Sequence, residues 1–541
     1  MTREQKRVIS ASSLGTTFEW YDFYLYAVLA PFFASLFFPP GNDTAALLAA
    51  FATYAVGFAV RPLGALFFGR IGDVIGRKYA FLVTIIVMGT ATFLVGLLPT
   101  YARVGWISPV LLVPLRLLQG VAVGGEYGGA ATYVAEYARR GERGYATSWI
   151  QSTATLGLVL ALTIIILCRD GMDAQAFLVW GWRVPFLVSA ILLVFSVFIR
   201  LRLNETPIFR KMQEEGRRSR APLTESFLRY PNNQRVLLAL FGATAGMGVV
   251  WYTGQFYTLF FLTITLKMEY LPAYLLVLTS LLIGMPLYLV CGWLSDRLGR
   301  RPIILAGCLM AALTYLPMFS ALTHYASPDL EAFSRRTPVT VAVDSSTCRL
   351  HIFVTALTPL SNCDRARDFM TRLGVSFKTE RVPNAGDEVI LKIGPSTVAG
   401  FDAGKWNAAF LHAGYPNLQR SGDGSIEPKS ADTAKVNWLM TEVILVILVL
   451  YAAMVYGPVA ALLVELFPTR IRYTSMSLPY HIGAGVFGGM LPLLATAVVA
   501  ATGNIYAGLW YPNVVAVITV VIGGFLLPDN TGADLEVGTT T

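Results

Sequence analysis

The chain has 541 residues, of which 55% are apolar or aromatic and only 14% are charged, with a formal net charge of +9. A soluble globular chain carries about 25% charged residues, so the composition excludes a string of soluble domains and predicts an integral membrane protein. The positive charge does not indicate a nucleic-acid-binding protein, because the basic residues form short clusters between apolar runs, as in cytoplasmic loops.

Apolar runs of about 20 residues predict membrane-spanning helices, and twelve such runs occur. In chain order, spans 1 to 12 cover 8–37, 44–68, 79–99, 109–136, 146–168, 182–201, 236–265, 271–293, 302–324, 437–466, 473–500 and 508–527. With the N-terminus inside, the cytoplasmic segments carry 23 Lys and Arg residues, whereas the short outer loops carry 3. This bias predicts that both termini are cytoplasmic.

The chain repeats itself. The string GRIGDVIGRK (69–78) follows span 2, and GWLSDRLGRR (292–301) follows span 8. Glu136 stands at the end of span 4 and Glu465 at the end of span 10, and each Glu is followed seven residues later by an Arg, Arg143 and Arg472. The repeat predicts two pseudo-symmetric six-helix halves, 1–201 and 236–541, joined by a cytoplasmic linker at 202–235.

The second half contains an insertion. Asp73 and Glu136 are 63 residues apart, whereas the equivalent Asp296 and Glu465 are 169 apart, so the second half carries 106 more residues. They match a polar region at 327–434, between spans 9 and 10, which the orientation places outside. The fold class is therefore an all-α membrane protein with a small extracytoplasmic α+β insertion.

These features resemble the major facilitator superfamily of transporters. Six strings resemble more narrowly its metabolite:H+ symporter family, which includes carriers of α-ketoglutarate, citrate, shikimate and proline/betaine. They are FEWYDFYLY (18–26), VRPLGALFFG (60–69), RLLQGVAVGGEYGGA (116–130), WRVPF (182–186), ETPIF (205–209) and ELFPTRIRYTSMSLPY (465–480). The resemblance covers nearly all of the chain except the insertion.

Charged residues of the repeated loops are candidates for conformational gating, since carboxylate–guanidinium clusters there can hold one global state closed and open in another. The simpler alternative is that basic loops only set the topology. The candidates are Asp73, Arg77, Lys78, Glu136, Arg143, Asp296, Arg300, Arg301, Glu465 and Arg472.

Ionisable residues inside spans are costly and point to function. At about 1.5 Å per residue, Asp22 lies about 21 Å from the inner face and Arg116 about 10 Å from the outer face of a ~30 Å core. An Asp22–Arg116 pair is therefore allowed. In related sugar porters an acid of span 1 and an arginine of span 4 occupy matching positions and couple protons, and the resemblance supports this pairing. Asp22 is the first proton-coupling candidate, and Arg116, which would tune it, is also a substrate-binding candidate. The alternative is a structural ion pair needed only for folding.

A second pair is predicted lower in the same half. Arg61 and Glu126 both lie about 25 Å from the outer face, so Glu126 is a second proton-coupling candidate and Arg61 a substrate-binding one. The alternative is that this pair only holds spans 2 and 4 together. Glu19, at i, i+3 from Asp22, either shares the cavity or is an interfacial polar residue.

The C-terminal wall of a substrate cavity is predicted from spans 7 and 11. Span 7 combines a Gly-rich helix, which allows close packing, with Trp251, Tyr252, Gln255 and Tyr257. Ordinary core or lipid-facing aromatics are the alternative. Span 11 adds Tyr480 and His481; the family pattern more often has Asn at position 481, which favours substrate hydrogen bonding or packing there over a proton relay.

The insertion shows the patterns of a small folded unit. Strand-like alternation occupies 338–346, 348–357 and 387–394, a helix is predicted at 362–375, and 420–433 is predicted to be a linker. Three roles stay open for the unit: a passive addition, a partner or oligomer contact, or substrate capture.

Two cysteines of the insertion, Cys348 and Cys363, are predicted to form a disulfide. They lie 15 residues apart, before a strand and at a helix start, on the oxidising side of the membrane. The bridge would close a short loop worth roughly 3 kcal/mol. Neither these cysteines nor His351 and His412 have metal-ligand spacing, so no metal and no cofactor are expected.

The function predicted is proton-coupled symport of a small organic acid across a bacterial inner membrane by alternating access, with substrate bound between the halves. The alternatives are a proline or betaine symporter, and a non-transporting receptor that senses solute through the insertion. No enzyme motif occurs. The expected partners are the substrate, protons and the bilayer, with no nucleic acid; we expect a monomer, and the insertion could contact a partner.

Overall fold

The computed structural model describes residues 3–38, 50, 53, 56–201, 205–216, 219–344, 346–349, 359–383 and 386–535. It is mostly helical. The helices of the first six spans are Arg3–Phe37, Arg61–Val74, Arg77–Leu97, Ile107–Tyr137, Arg143–Asp170 and Arg183–Leu201. Those of the last six are Asn232–Thr265, Tyr270–Leu298, Arg300–Ala326, Trp438–Leu466, Thr469–Thr502 and Ala507–Leu526, several with short breaks or π-helical turns.

Ten helical segments within the described part of the chain are long and apolar enough to cross a membrane. The first helix, Arg3–Phe37, is not among them, and much of the predicted span 2 (44–68) lies outside the described residues. A multi-helix membrane bundle is therefore confirmed, and the number twelve stays a prediction.

Small residues let the helices approach closely. A Cβ at Gly124 of span 4 would overlap the carbonyl oxygen of Arg61 in span 2, and a Cβ at Gly248 of span 7 would overlap that of Gly483 in span 11. Without these glycines the backbones could not reach contact distance. The two contacts bring Arg61 and the span 7 aromatics towards the middle of the bundle.

The insertion folds as a small α/β unit. Its four-stranded sheet has the order β2-β1-β3-β4, where β1 is Val339–Val343, β2 Lys378–Arg381, β3 Val389–Ile393 and β4 Ser396–Ala399. Strand β1 pairs in parallel with β2 and antiparallel with β3.

Two helices of the insertion, Asn362–Leu373 and Ala403–His412, pack against this sheet. The rings of Phe369 and Trp406 meet between them, with centroids 5.5 Å apart.

Most of the insertion follows the sequence pattern. The strand predicted at 338–346, the strand at 387–394 and the helix at 362–375 are present as β1, β3 and Asn362–Leu373. The strand predicted at 348–357 lies almost entirely outside the described residues. The prediction of a linker at 420–433 is wrong in part, because β5 (Leu418–Arg420) and β6 (Ile426–Pro428) form an antiparallel hairpin there.

The cysteine prediction is confirmed. Cys348 and Cys363 form a disulfide with their Cα atoms 5.3 Å apart, and Cys168, Cys291 and Cys308 are free. The described residues contain no group of His, Cys, Asp and Glu side chains that could hold a metal ion.

The insertion docks on the second half of the bundle. Gly374, in left-handed conformation (φ 72°), comes so close to the end of span 7 that a Cβ would overlap the carbonyl oxygen of Thr265. The Lys267 ammonium, in the loop between spans 7 and 8, donates to the carbonyl of Arg372, and the amide of Phe377 donates to Gly503 over 2.8 Å. We call this side of the bundle the insertion end, and the side of the repeated loops the gate end.

Candidate functional site

A cavity of about 10 Å³, with room for about one water molecule, lies in the middle of the bundle. Its lining is almost wholly aromatic, and comes from spans 1, 7, 10 and 11: Trp20, Tyr24, Met247, Trp251, Tyr252, Tyr456, Tyr480 and Ala484. Because both halves of the chain contribute, a relative movement of the halves would change the shape of the cavity. Its volume is far below the range of about 300–1,000 Å³ usual for ligand pockets, so this conformation leaves no room there for a solute.

Arg61 lies beside this cavity in a cage of aromatic rings. Its guanidinium carbon is 4.0 Å from the ring centre of Phe58, 4.2 Å from Phe23 and 5.6 Å from the cavity residue Trp20. The residue is fully buried and forms no ion pair with any described residue, and its guanidinium faces the hydroxyl of Tyr252 without a hydrogen bond of normal geometry. Aromatic faces stabilise a cation only in part, so Arg61 is a buried charge poised for an anion.

Neutral polar groups around the cavity are also unsatisfied. The hydroxyl of Tyr24, the indole nitrogen of Trp251 and both ring nitrogens of His481 have no hydrogen-bond partner among the described residues. Buried polar groups normally have partners, and each exception needs an explanation such as an absent ligand or water. A polar solute that enters when the halves move apart and the cavity widens would provide that explanation.

Only some of the predicted wall residues reach the cavity. Trp251, Tyr252 and Tyr480 line it, whereas Gln255 donates to the hydroxyl of Tyr288 over 3.0 Å and Tyr257 packs against neighbouring rings. The difference arises because span 7 presents its successive residues in different directions, so four residues within seven positions cannot all face one side.

Tyr480 is held firmly in place, and His481 is buried beside it. The Tyr480 ring stacks on that of Tyr127 with centroids 3.3 Å apart, and its hydroxyl lies 2.7 Å from that of Tyr456. The His481 ring meets Tyr480 edge-on at 5.0 Å.

The predicted Asp22–Arg116 pair is wrong for this conformation. Asp22 faces Ser189 of span 6, while Arg116 donates to Gln119 over 2.5 Å and lies over the ring of Tyr26. Equal depth in the membrane did not make the two meet, because depth says nothing about the direction in which a helix presents a side chain.

The predicted Arg61–Glu126 pair is also wrong. Glu126 lies 3.2 Å from the Nη2 atom of Arg200, and Glu19 lies 2.9 Å from the same atom. All three side chains are nearly inaccessible to solvent. Glu19 therefore belongs to this cluster, which we call the Glu–Arg–Glu cluster, and does not line the cavity.

At the gate end, each repeated loop aspartate binds the first turn of a helix from the other half. Asp73 accepts hydrogen bonds from the amide and hydroxyl of Thr474 at 2.9 and 2.7 Å, near the start of span 11. Asp296 accepts from the amides of Gly144 and Tyr145 at 2.9 and 2.8 Å, at the start of span 5. A carboxylate at a helix N-terminus is favoured by free amide groups and by the helix dipole, so both contacts hold the halves together.

The ion pairs at the gate end each join one residue of the first half to one residue of the second half. Glu136 pairs with Arg472 at 3.1 Å, and Glu465 pairs with Arg143 at 3.3 Å. The Glu of each motif thus pairs with the Arg of the equivalent motif in the other half, and not with the Arg seven residues further along its own chain segment. Arg300 lies 3.2 Å from Glu465 and 2.6 Å from Asp296.

The remaining gating candidates contact backbone close by. Lys78 donates to the carbonyl of Leu201 over 3.0 Å, and Arg301 donates to that of Leu527 over 2.9 Å. The side chain of Arg77 lies outside the described part of the structure.

The segment after span 12 adds to the closed gate. Arg140 and Arg143 of the first half donate to the carbonyls of Gly532 and Ala533 over 2.6 and 2.5 Å. On the second half, the amide of Gly532 donates to Glu465 over 3.3 Å. The segment thus contacts both halves at once.

The insertion end is closed by aromatic contacts. The rings of Phe32 in span 1 and Tyr270 in span 8 lie 5.0 Å apart, with the guanidinium of Arg169 5.0 Å from Phe32 and 5.3 Å from Tyr270. The hydroxyl of Tyr274 donates to the carbonyl of Val28 over 3.2 Å. Contacts therefore join the two halves at both ends of the bundle.

Sequence reasoning missed three groups of residues. Arg200 was counted only as a basic residue at a span end, although its placement in the last turn of an apolar helix marks it as intramembrane. Trp20 and Tyr24, one turn apart on span 1, carry an i, i+4 aromatic signal that was available. Nothing in the local sequence singles out Tyr456.

The chain belongs to the Major Facilitator Superfamily, because the model of that family matches residues 12–327. The resemblance predicted from the sequence motifs is thereby confirmed. Members of this superfamily are transporters, which agrees with the expectation that the protein is not an enzyme.

Curated relatives are transporters of organic acids and osmolytes. The chain is 37% identical over 323 residues to the shikimate transporter of Escherichia coli K12, covering 59% of this chain and 72% of that one. It is 36% identical over 327 residues to the α-ketoglutarate permease of the same organism, covering 60% and 74%. It is 34% identical over 334 residues to the proline/betaine transporter of Salmonella typhimurium LT2, covering 58% of this chain but only 64% of that relative.

Solved structures agree with the fold. The proton:xylose symporter XylE bound to 6-bromo-6-deoxy-D-glucose aligns with a TM-score of 0.64 at 15% identity, covering 98% of both chains. The partially occluded inward-open form of XylE from E. coli aligns with a TM-score of 0.60, also at 15% identity. At these identities the likeness establishes the fold alone.

Proposed function

We propose that the protein is a secondary active transporter that carries a small organic acid together with protons across the inner membrane of a bacterium by alternating access. Both termini and the gate end lie in the cytoplasm, and the insertion lies outside. The two six-helix halves, 1–201 and 236–541, rock about the central cavity.

The observation that carries the proposal is the buried guanidinium of Arg61, which has no ion-pair partner among the described residues, beside a small aromatic cavity that would widen when the halves move. A buried cation with no carboxylate partner is costly, and a substrate carboxylate would remove that cost. The nearby donors Tyr24 and Trp251 would bind further oxygens of the same solute. Recognition of a carboxylate by a planar guanidinium adds geometric specificity as well as charge.

Proton coupling is assigned to Asp22 and, second, to Glu126. Asp22 is buried, and its Oδ1 atom has no hydrogen-bond partner among the described residues. Burying a carboxylate without a cation is costly, and a proton removes the cost. Asp22 and Arg61 belong to the same half of the bundle, so proton and substrate would cross during the same movement.

The test is solute counterflow in proteoliposomes containing the purified full-length protein. Labelled shikimate and α-ketoglutarate serve as acid probes, chosen from the relatives, and an inward proton gradient should drive accumulation of at least one dicarboxylate or hydroxy acid. Arg61→Lys keeps the charge but loses the planar fork, so it should raise the KM for the acid. Arg365→Lys, an exposed substitution in the insertion, is the matched control. Normal acid transport by the Arg61→Lys variant would contradict the role of Arg61.

A proline or betaine symporter is the second candidate, and the aromatic lining favours it specifically. Trp20, Tyr24, Trp251 and Tyr252 could surround a quaternary ammonium group, which binds to aromatic faces, while Arg61 binds the carboxylate. A competition experiment separates the two candidate functions. Excess glycine betaine should block the uptake of a labelled solute only if the protein binds osmolytes. A solute receptor that does not transport would show no counterflow with any probe.

A further inference from the structure

The Glu–Arg–Glu cluster holds two carboxylates against one cation. Oε1 of Glu19 and Oε1 of Glu126 both approach the Nη2 atom of Arg200, at 2.9 and 3.2 Å. The three residues come from spans 1, 4 and 6 of the same half, so the cluster keeps its geometry when the halves move as rigid bodies. With both carboxylates ionised, the cluster would carry a net charge of −1 in a buried place.

A second observation shows that Arg200 does not satisfy both acids. The other oxygen of Glu19, Oε2, is buried and has no hydrogen-bond partner among the described residues, while the whole residue is only 4% exposed. A protonated carboxyl there would need fewer hydrogen-bond donors and would itself donate one bond, and the cluster would become neutral. Other polar groups near the cluster among the described residues are the hydroxyls of Thr16, Ser196 and Tyr473, and none of these three carries a positive charge.

Tyr473 separates the cluster from the gate end. It is fully buried at the start of span 11, in the other half of the chain, and its hydroxyl donates to the carbonyl of Gly125, the residue before Glu126. Its ring lies so close to Gly72 and Gly128 that a Cβ at Gly72 would come within 2.6 Å of it. A movement of span 11 away from spans 2 and 4 would therefore uncover the cluster on the gate side only.

We propose that Glu19, Glu126 and Arg200 form a binding site for one proton, and that Tyr473 is the lid that controls its release at the gate end. The lid role rests on the proposed cytoplasmic orientation of the gate end and on alternating access. The proton binds as an O–H bond on one of the two carboxylates while the other stays paired with Arg200, and it leaves to water when the lid opens.

The site is tested without any substrate, by infrared spectroscopy of the protonated-carboxyl band in the purified full-length protein at neutral pH. Glu19→Gln and Glu126→Gln should each abolish the same band, because the acid that remains then forms a neutral pair with Arg200. Arg200→Gln should have the opposite effect and add a second protonated carboxyl. Because Asp22 can contribute its own protonated-carboxyl absorption, the decisive quantity is the change in intensity. An unchanged band in either Gln variant of the acids, or no gain in the Arg200→Gln variant, would overturn the assignment.

The lid is tested by the rate at which this band shifts in heavy water. Tyr473→Ala should speed the exchange, whereas Tyr473→Phe, which keeps the ring, should leave it close to that of the wild type. Equal rates in all three proteins would refute the lid. Because the spectra need no transport, a protein that moves none of the probe solutes could still show the proton site, so failure of this proposal and failure of the proposed function are separate results.

Discussion

Neutralising one buried gate residue should open the gate end of this protein. Glu136 and Arg472 lie 3.1 Å apart with side chains 0% and 2% exposed. At an effective dielectric constant of about 20, two unit charges at that distance attract by roughly 5 kcal/mol. Removing one partner of a buried pair usually costs about 3–5 kcal/mol.

The cost in Glu136→Gln should fall at the lower end of that range. Arg472 keeps two backbone acceptors, the carbonyls of Val464 at 3.0 Å and Phe467 at 3.2 Å. Because both acceptors belong to the same half as Arg472, they stay with it when the gate opens, and only the contact between the halves is lost. A loss of about 3 kcal/mol would shift the ratio of closed to open protein by roughly 100-fold.

The assay is pulsed electron paramagnetic resonance between spin labels on two exposed residues on opposite sides of the gate, Glu142 and Leu298. The free cysteines are first replaced, and the Cys348–Cys363 disulfide is kept. Glu136→Gln should transfer population to a longer distance, and the charge swap Glu136→Arg with Arg472→Glu should restore the short one. Glu388→Gln, an exposed change in the insertion, is the control. An unchanged distance distribution in Glu136→Gln would refute the gating role of the pair.

Three further outcomes are expected. Asp22→Asn should abolish proton-driven accumulation and retain exchange between two loaded compartments; accumulation that persists under an imposed pH difference would exclude Asp22 as the proton carrier. Replacing 329–432 by a short Gly/Ser linker should leave a transporting protein, because the insertion docks on the second half away from the cavity; complete loss of uptake in a well-expressed, monodisperse variant would contradict this. Burial and the nearby Arg372 charge lower the pKa of Lys267 to about 8, so the folded protein binds fewer protons there than the unfolded chain between about pH 8 and 10.4. Stability should therefore rise with pH across that window, and the rise in melting temperature should shrink in Lys267→Met but not in the exposed-site control Lys378→Met.

The duplicated motifs could be found from the sequence because equivalent positions carry the same residues at the same spacing. The ion pairs that these motifs form could not be found from the sequence. Glu136 pairs with Arg472 and Glu465 with Arg143, and this pairing depends on how the two halves meet. In the structure each of the two pairs joins the two halves.

The chain by itself determined the membrane class, the family and the disulfide, because hydropathy, repeated motifs and cysteine spacing are properties of single segments. It also showed which charged residues lie within apolar runs, and it predicted their depths from the constant rise of a helix per residue. Only the tertiary structure decided which charges meet. The direction of a side chain depends on the rotation and packing of its helix, so Asp22 faces span 6, Arg200 binds two acids, and Arg61 is left among aromatic rings beside the cavity.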